Sequence, residues 1–150
     1  MRKIVCLTSL MLAFIMLSGC GIGYEFLKLN NSDPAILDEY IDKEEHFDDL
    51  GWMDYTDYCK YIYSQNGKEL FRKSKLYNKV ESCTKVKKYI EDFREWMEAA
   101  DRLDEFDLKA EQVTRDDFYR IEDNRPETDS YSLYFFDSKN NTLYYCHSKW

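Results

Sequence analysis

The chain has little glycine, proline or histidine, and this scarcity excludes several kinds of functional site. Of its 150 residues, 5 are glycine, 2 are proline and 2 are histidine. It contains no glycine-rich phosphate loop, no Gly-x-Ser-x-Gly turn and no His-Glu-x-x-His motif, so no local motif predicts a nucleotide site, an α/β-hydrolase or a zinc protease. Aromatic residues make up 17% of the chain. Burial of their large apolar surfaces can offset the conformational entropy that folding costs, so we expect a folded domain.

The first twenty residues combine two cations, an apolar run and a cysteine that follows small residues. The run from Ile4 to Leu17 is shorter than the about 20 residues that a membrane-spanning helix needs. With Leu17-Ser18-Gly19-Cys20 at its end, the segment resembles a bacterial lipoprotein signal and its lipobox. The resemblance implies cleavage before Cys20, a diacylglyceryl thioether on its sulfur and a protein held at the extracytoplasmic face of the cell membrane. A permanent N-terminal anchor or a buried core helix is the alternative.

These features divide the chain into three parts and limit its partners. We expect residues 1–19 to be cleaved, residues 20–32 to form the lipidated cysteine and a tether, and residues 33–150 to form one α+β domain. The formal net charge of −8 opposes non-specific attraction to nucleic acid and to anionic lipid headgroups. The membrane is therefore a partner only through the lipid on Cys20, and we expect a monomer.

The cysteines argue against metal or redox chemistry. Three remain for the folded part after Cys20 is lipidated, namely Cys59, Cys83 and Cys146. The number is odd and no Cys-x-x-Cys spacing occurs, so we expect mostly buried thiols and neither a metal nor a cofactor. If one disulfide forms, Cys59 and Cys83 are the first pair to test. Cys146 and His147 cannot act as nucleophile and base, because neighbours on a strand point to opposite faces.

Hydrophobic periodicity predicts the elements of the domain. Apolar residues between Asp33 and Leu50 recur on one face, which predicts an acidic helix, and the long apolar stripe from Asn78 to Asp104 predicts a second helix. Phe93 and Trp96 lie in that stripe, and we expect both in the core. Between the helices, a strand is predicted at 55–63, followed by either a strand at 69–72 or a short helix at 68–75.

The C-terminal part predicts an antiparallel sheet. We expect a strand at 117–123 and a hairpin made of 131–137, a loop at 138–141 and 142–147. Both faces of the hairpin are apolar, so one face is expected to pack on the long helix. The predicted fold is a long amphipathic helix on an antiparallel sheet that includes this hairpin, preceded by the acidic helix.

Aromatic side chains are the best candidates for a binding surface. Flat rings near the ends of elements can stack on sugars or anchor a protein partner, and the candidates are Trp52, Tyr55, Tyr134, Tyr144 and Trp150. Tyrosines on strands can instead fill the edge of the core. We expect a non-catalytic envelope lipoprotein that binds a protein or glycan partner. The alternatives are an immunity or inhibitor lipoprotein against a basic toxin or enzyme, and an envelope hydrolase that uses a carboxylate pair.

Overall fold

The computed structural model describes residue 36, residues 40–48 and residues 55–149. The chain divides after Leu37 into two units, and all six strands belong to the second unit, Asp38–Trp150. This unit has an α+β fold, as the sequence predicts. Its elements in order are β1 (Tyr40–Asp48), β2 (Tyr55–Tyr63), α1 (Gly67–Lys73), β3 (Asn78–Lys79), α2 (Cys83–Ala99), β4 (Phe118–Asp123), α3 (Arg125–Thr128), β5 (Ser130–Asp137) and β6 (Thr142–Lys149).

The strands form one antiparallel sheet in the order β1-β2-β6-β5-β4-β3. The predicted C-terminal hairpin is confirmed: β5 and β6 pair from Ser130 opposite Lys149 to Asp137 opposite Thr142. At the loop, Asn141 adopts a positive φ of 51°, a conformation that asparagine tolerates better than most residues. The hairpin lies in the middle of the sheet, which explains why both of its faces are apolar.

Helix α2 covers one face of the sheet, and the predicted apolar stripe is confirmed. Its buried residues are Val86, Tyr89, Ile90, Phe93 and Met97. They pack in one core with Tyr131, Leu133 and Phe135 of β5 and with Tyr144 and Cys146 of β6. Trp96 is only half-buried, so its prediction as a core residue is wrong. Among the described residues, no helix is long and apolar enough to span a membrane.

Helix α1 packs on the opposite face of the sheet through aromatic rings. Phe71 stacks on Phe136 with 3.9 Å between ring centroids and meets Tyr63 edge to face at 5.2 Å. At the start of this helix, a Cβ on Gly67 would lie 2.8 Å from the Cβ of Tyr63, so this close approach requires glycine. Burial of Phe71 favours the helix over the alternative strand at 69–72.

The structure differs from the predictions in one element and in both ends of the long helix. The acidic helix predicted from Asp33 to Leu50 is wrong over 40–48, because this segment forms β1 and pairs with β2. An edge strand suits charged residues, since charges there discourage pairing with other chains. The long helix begins at Cys83 and not at Asn78, because Asn78–Lys79 pairs with β4. It ends at Ala99, and a separate 3₁₀ turn follows at Leu103–Glu105.

Candidate functional site

A cavity of about 390 Å³ lies beside helix α2, on the same side of the sheet as the main core. Its volume is within the range of about 300 to 1,000 Å³ that is usual for small-molecule sites. Helix α2 contributes one row of side chains, namely Lys88, Asp92, Glu95, Trp96 and Ala99. Arg125 of α3 and Tyr131 of β5 form the facing wall. The row borders the buried stripe of the helix, so the cavity opens at the edge of the core.

Arg125 is held in a fixed position in the wall of the cavity. Its Nη1 donates to Asp92 Oδ2 at 3.1 Å, and its Nη2 and Nε donate to the two carboxylate oxygens of Asp123 at 2.6 and 2.9 Å. The guanidinium carbon lies 4.9 Å from the ring centroid of Tyr89 and 5.1 Å from that of Tyr131. These contacts combine ion pairing with cation–π attraction, and they connect α3 to α2, β4 and β5 around the cavity.

The electrostatic effects of this arrangement are visible in the pKa values. Hydrogen bonds from the Arg125 guanidinium hold the pKa of Asp123 well below its usual range, and the hydroxyl of Tyr89 also donates to this carboxylate. The same contacts raise the pKa of Arg125. Both groups therefore stay charged at neutral pH.

Three buried hydroxyl groups lie in a row across the sheet, beginning at the cavity. Tyr131 pairs in register with Ser148, which pairs with Thr56, so all three side chains are on the face that α2 covers. None of the three hydroxyls has a hydrogen-bond partner within the described part of the chain. Tyr131 is only 3% exposed, and burial raises its pKa. Buried hydroxyls without partners are costly and mark places where a water molecule or a ligand group can bind.

The residues predicted to bind a partner fall into two groups. Tyr134 and Tyr144 are buried on opposite faces of the sheet, so neither presents an open ring, and burial raises the pKa of Tyr144 to about 12. Tyr55 begins β2 and pairs with Lys149, next to the row of buried hydroxyls. Trp52 and Trp150 lie outside the described residues, as does Cys20. For those three residues and Tyr55, the predicted roles stay predictions.

The structure also assembles a serine, a histidine and an aspartate that sequence spacing did not indicate. Ser132 Oγ lies 2.8 Å from His147 Nδ1, and His147 pairs in register with Asp57 on the other side. Their order is that of a nucleophile, a base and an acid. Ser132 and Asp57 are only 7% and 4% exposed, so the serine oxygen is not presented to a substrate carbonyl. We interpret the group as a buried polar network within the sheet.

One Ser-x-x-Lys spacing, from Ser82 to Lys85, falls at the start of helix α2. Serine and lysine at this spacing form the nucleophile motif of some acyl-transfer enzymes. Activation of a lysine as the base requires a desolvated ammonium group. Here both side chains are exposed, and Lys85 Nζ lies 5.9 Å from the ring centroid of Tyr119. The surroundings therefore do not favour this chemistry.

Asp117 is a buried carboxylate with a structural role, and burial raises its pKa. Asp117 accepts hydrogen bonds from the backbone N–H groups of Thr114 and Ser138, at 2.6 and 2.9 Å. It therefore joins the loop before β4 to the hairpin loop and lies apart from the cavity lining. Within residues 40–48 and 55–149, no cluster of three histidine, cysteine or acidic side chains could hold a metal ion.

The three cysteines are free thiols, and they lie on different sides of the sheet. Cys59 and Cys146 are buried, whereas Cys83 is half-buried against the main core. Cys146 belongs to that core, and burial raises the pKa of its thiol. Cys59 follows the core residue Tyr58 on a strand, so it points to the opposite face. This geometry disfavours a bridge between Cys59 and Cys83. Likewise, Cys146 and His147 lie on opposite faces, as predicted.

No protein-family model, curated protein sequence or solved structure matches this chain.

Proposed function

We propose that this protein is an envelope lipoprotein, anchored through Cys20, that acts as a non-catalytic binding module for a protein or glycan partner. The observation that carries the proposal is the cavity between α2, α3 and β5, whose wall is fixed by the ion pairs of Arg125. The ligand, or a protruding group of the partner, enters this cavity. No reaction is proposed for it.

A preformed wall supports a binding role because it lowers the entropy that binding costs. Arg125 is paired with carboxylates from two elements and stacked on two tyrosine rings. Binding then does not need to order this long side chain, which would otherwise cost about 0.5 to 1.5 kcal/mol. The half-buried Trp96 adds an aromatic surface, and rings of this type anchor partners in many interfaces.

The lipid anchor on Cys20 supports the same proposal because it would hold the domain close to partners at the membrane surface. Each buried methylene of an acyl chain contributes about 0.8 kcal/mol, so two or three chains on Cys20 suffice for stable attachment. Residues 20–32 provide a tether between the lipid and the domain. A binding module placed in this way would act on partners at the extracytoplasmic membrane surface.

Ligand-dependent thermal stabilisation tests the proposal. The full chain, purified in a detergent without a sugar headgroup, is melted with a panel of envelope-derived peptides and saccharides. A ligand at 100 times its Kd raises the free energy of unfolding by about 2.7 kcal/mol. We expect at least one class of compound to raise the melting temperature.

Two neighbouring variants show whether that ligand uses the cavity. Ala99→Phe places a ring in the cavity, whereas Ala100→Phe places the same ring at the exposed end of the helix, outside the lining. The stabilisation should disappear in A99F and persist in A100F. If no compound stabilises the protein, or if A99F responds like the parent, the cavity is not the binding site.

A further inference from the structure

We infer that the ligand of this cavity is a neutral sugar ring, bound against Trp96 and hydrogen-bonded to the charged side chains around it. The inference rests on the proposed function and specifies its ligand. Three properties of the cavity support it: the balance of charge in the lining, the position of the cavity over a central strand, and the chemistry of its walls.

The charges that line the cavity are balanced. Lys88 and Arg125 are positive, and Asp92 and Glu95 are negative. An anionic ligand would meet two carboxylates and a cationic ligand two cations, and each encounter adds repulsion to the cost of desolvation. A sugar hydroxyl both donates and accepts a hydrogen bond, so one neutral ring satisfies groups of either sign. The lining therefore selects a neutral compound that is rich in hydroxyl groups.

The position of the cavity argues against an extended peptide. Peptides bind to sheets mainly by adding a strand at an exposed edge. The strand that contributes Tyr131 is β5, which pairs with β4 on one side and with β6 on the other. It therefore has no open edge. A volume of about 390 Å³ suits one compact ring better than a chain that must continue in both directions.

The walls combine an apolar surface with polar groups at its rim. Trp96 is half-buried and Ala99 lies one turn further along the helix, so together they offer an apolar surface to the C–H face of a pyranose. Glu95 is exposed beside Trp96 and can accept from ring hydroxyls. Tyr131 also lines the cavity, and its buried hydroxyl lacks a partner among the described residues.

A series of sugars that differ in charge tests the inference. N-acetylglucosamine, glucosamine and glucuronate have the same ring but are neutral, cationic and anionic at neutral pH. Each is titrated into the ¹⁵N-labelled full chain while the indole N–H signal of Trp96, identified by its loss in Trp96→Phe, is followed. We expect the signal to shift saturably with N-acetylglucosamine. The two charged sugars should bind at least about tenfold more weakly, because each meets like charges.

Matched variants locate the binding. Glu95→Gln removes a carboxylate from the cavity and should weaken binding of the neutral sugar by about tenfold, the usual effect of losing a charged hydrogen-bond partner. Glu91→Gln makes the same change one turn earlier, outside the lining, and should leave binding unchanged. A99F should abolish the shift, and A100F should retain it.

The outcomes separate this inference from the proposed function. If the charged sugars bind as tightly as the neutral one, or if A99F still responds, the sugar site is refuted. If sugars give no shift while a peptide raises the melting temperature in an Ala99-dependent manner, the sugar inference is wrong and the proposed function stands. If no compound of either class responds, both are wrong, and the cavity holds ordered water only.

Discussion

Raising the pH should unfold this protein in one cooperative step at about pH 11, because four acidic hydrogens are buried in its main core. They belong to Tyr58, Tyr131, Tyr144 and Cys146, and burial is the largest cause of the raised pKa of each. In the folded protein these groups keep their protons at a pH at which the unfolded chain releases them. Stability is therefore complete below the ordinary pKa values and is lost as the pH rises above them.

The size of the loss follows from the number of groups. Each group that is protonated in the folded state and ionised in the unfolded state lowers the free energy of unfolding by about 1.4 kcal/mol per pH unit. The Cys146 thiol contributes from about pH 8.5 and the three tyrosines from about pH 10. By pH 11 these four groups alone lower the free energy of unfolding by about 7 kcal/mol, and the buried Tyr63 and Tyr145 on the opposite face of the sheet, whose pKa values burial also raises, add to this loss. The loss is comparable to the whole stability of about 5 to 15 kcal/mol of a typical domain.

Near-ultraviolet circular dichroism and phenolate absorbance, recorded on one pH titration, measure this transition. We expect the tertiary signal to disappear and the buried phenolates to form together. Tyr144→Phe removes one of these groups and should lower the pH dependence of the free energy of unfolding above pH 10 by about 1.4 kcal/mol per pH unit. If every phenol ionises near pH 10 while the tertiary signal persists, the assignment of these groups to a dry core is wrong.

Three further predictions concern the core, the anchor and the thiols. Phe93 is fully buried, with its ring centroid 5.2 Å from that of Phe106. Phe93→Ala should therefore lower the free energy of unfolding in urea by about 3 to 5 kcal/mol, and a loss below about 1 kcal/mol would place the apolar stripe of α2 outside the core. Cys20→Ser should leave an unprocessed precursor that takes up no labelled fatty acid, and normal maturation of this variant would rule out the lipoprotein signal. In the variant that lacks Cys20, the thiols of Cys59, Cys83 and Cys146 should react slowly with a thiol reagent when the protein is folded, and all three should react after denaturation without reductant. Cys6 of the signal segment is counted separately. If only one of the three reacts after denaturation, a disulfide is present.

The sequence pattern alone was sufficient to predict the helices and strands in which buried residues recur at a regular spacing. The stripe of α2 and the alternation of β2, β4 and the C-terminal hairpin all appear in the structure near their predicted positions. Burial on one face of a helix or on alternate positions of a strand imposes these periods on the sequence. The same reasoning placed Cys146 and His147 on opposite faces, because alternation along a strand does not depend on the rest of the fold.

Tertiary contacts determined the structure of segments whose sequence has no clear hydrophobic period. The segment 40–48 carries a weak helical pattern, yet it forms an edge strand because β2 offers a row of unpaired backbone groups. The candidate site could not be predicted for a related reason. Arg125 and Asp92 are separated by 33 residues, and only the packing of α2 against the sheet brings their side chains to 3.1 Å. Hydrophobic patterning therefore determined which residues are buried, and three-dimensional packing determined which polar groups meet at the edge of that core.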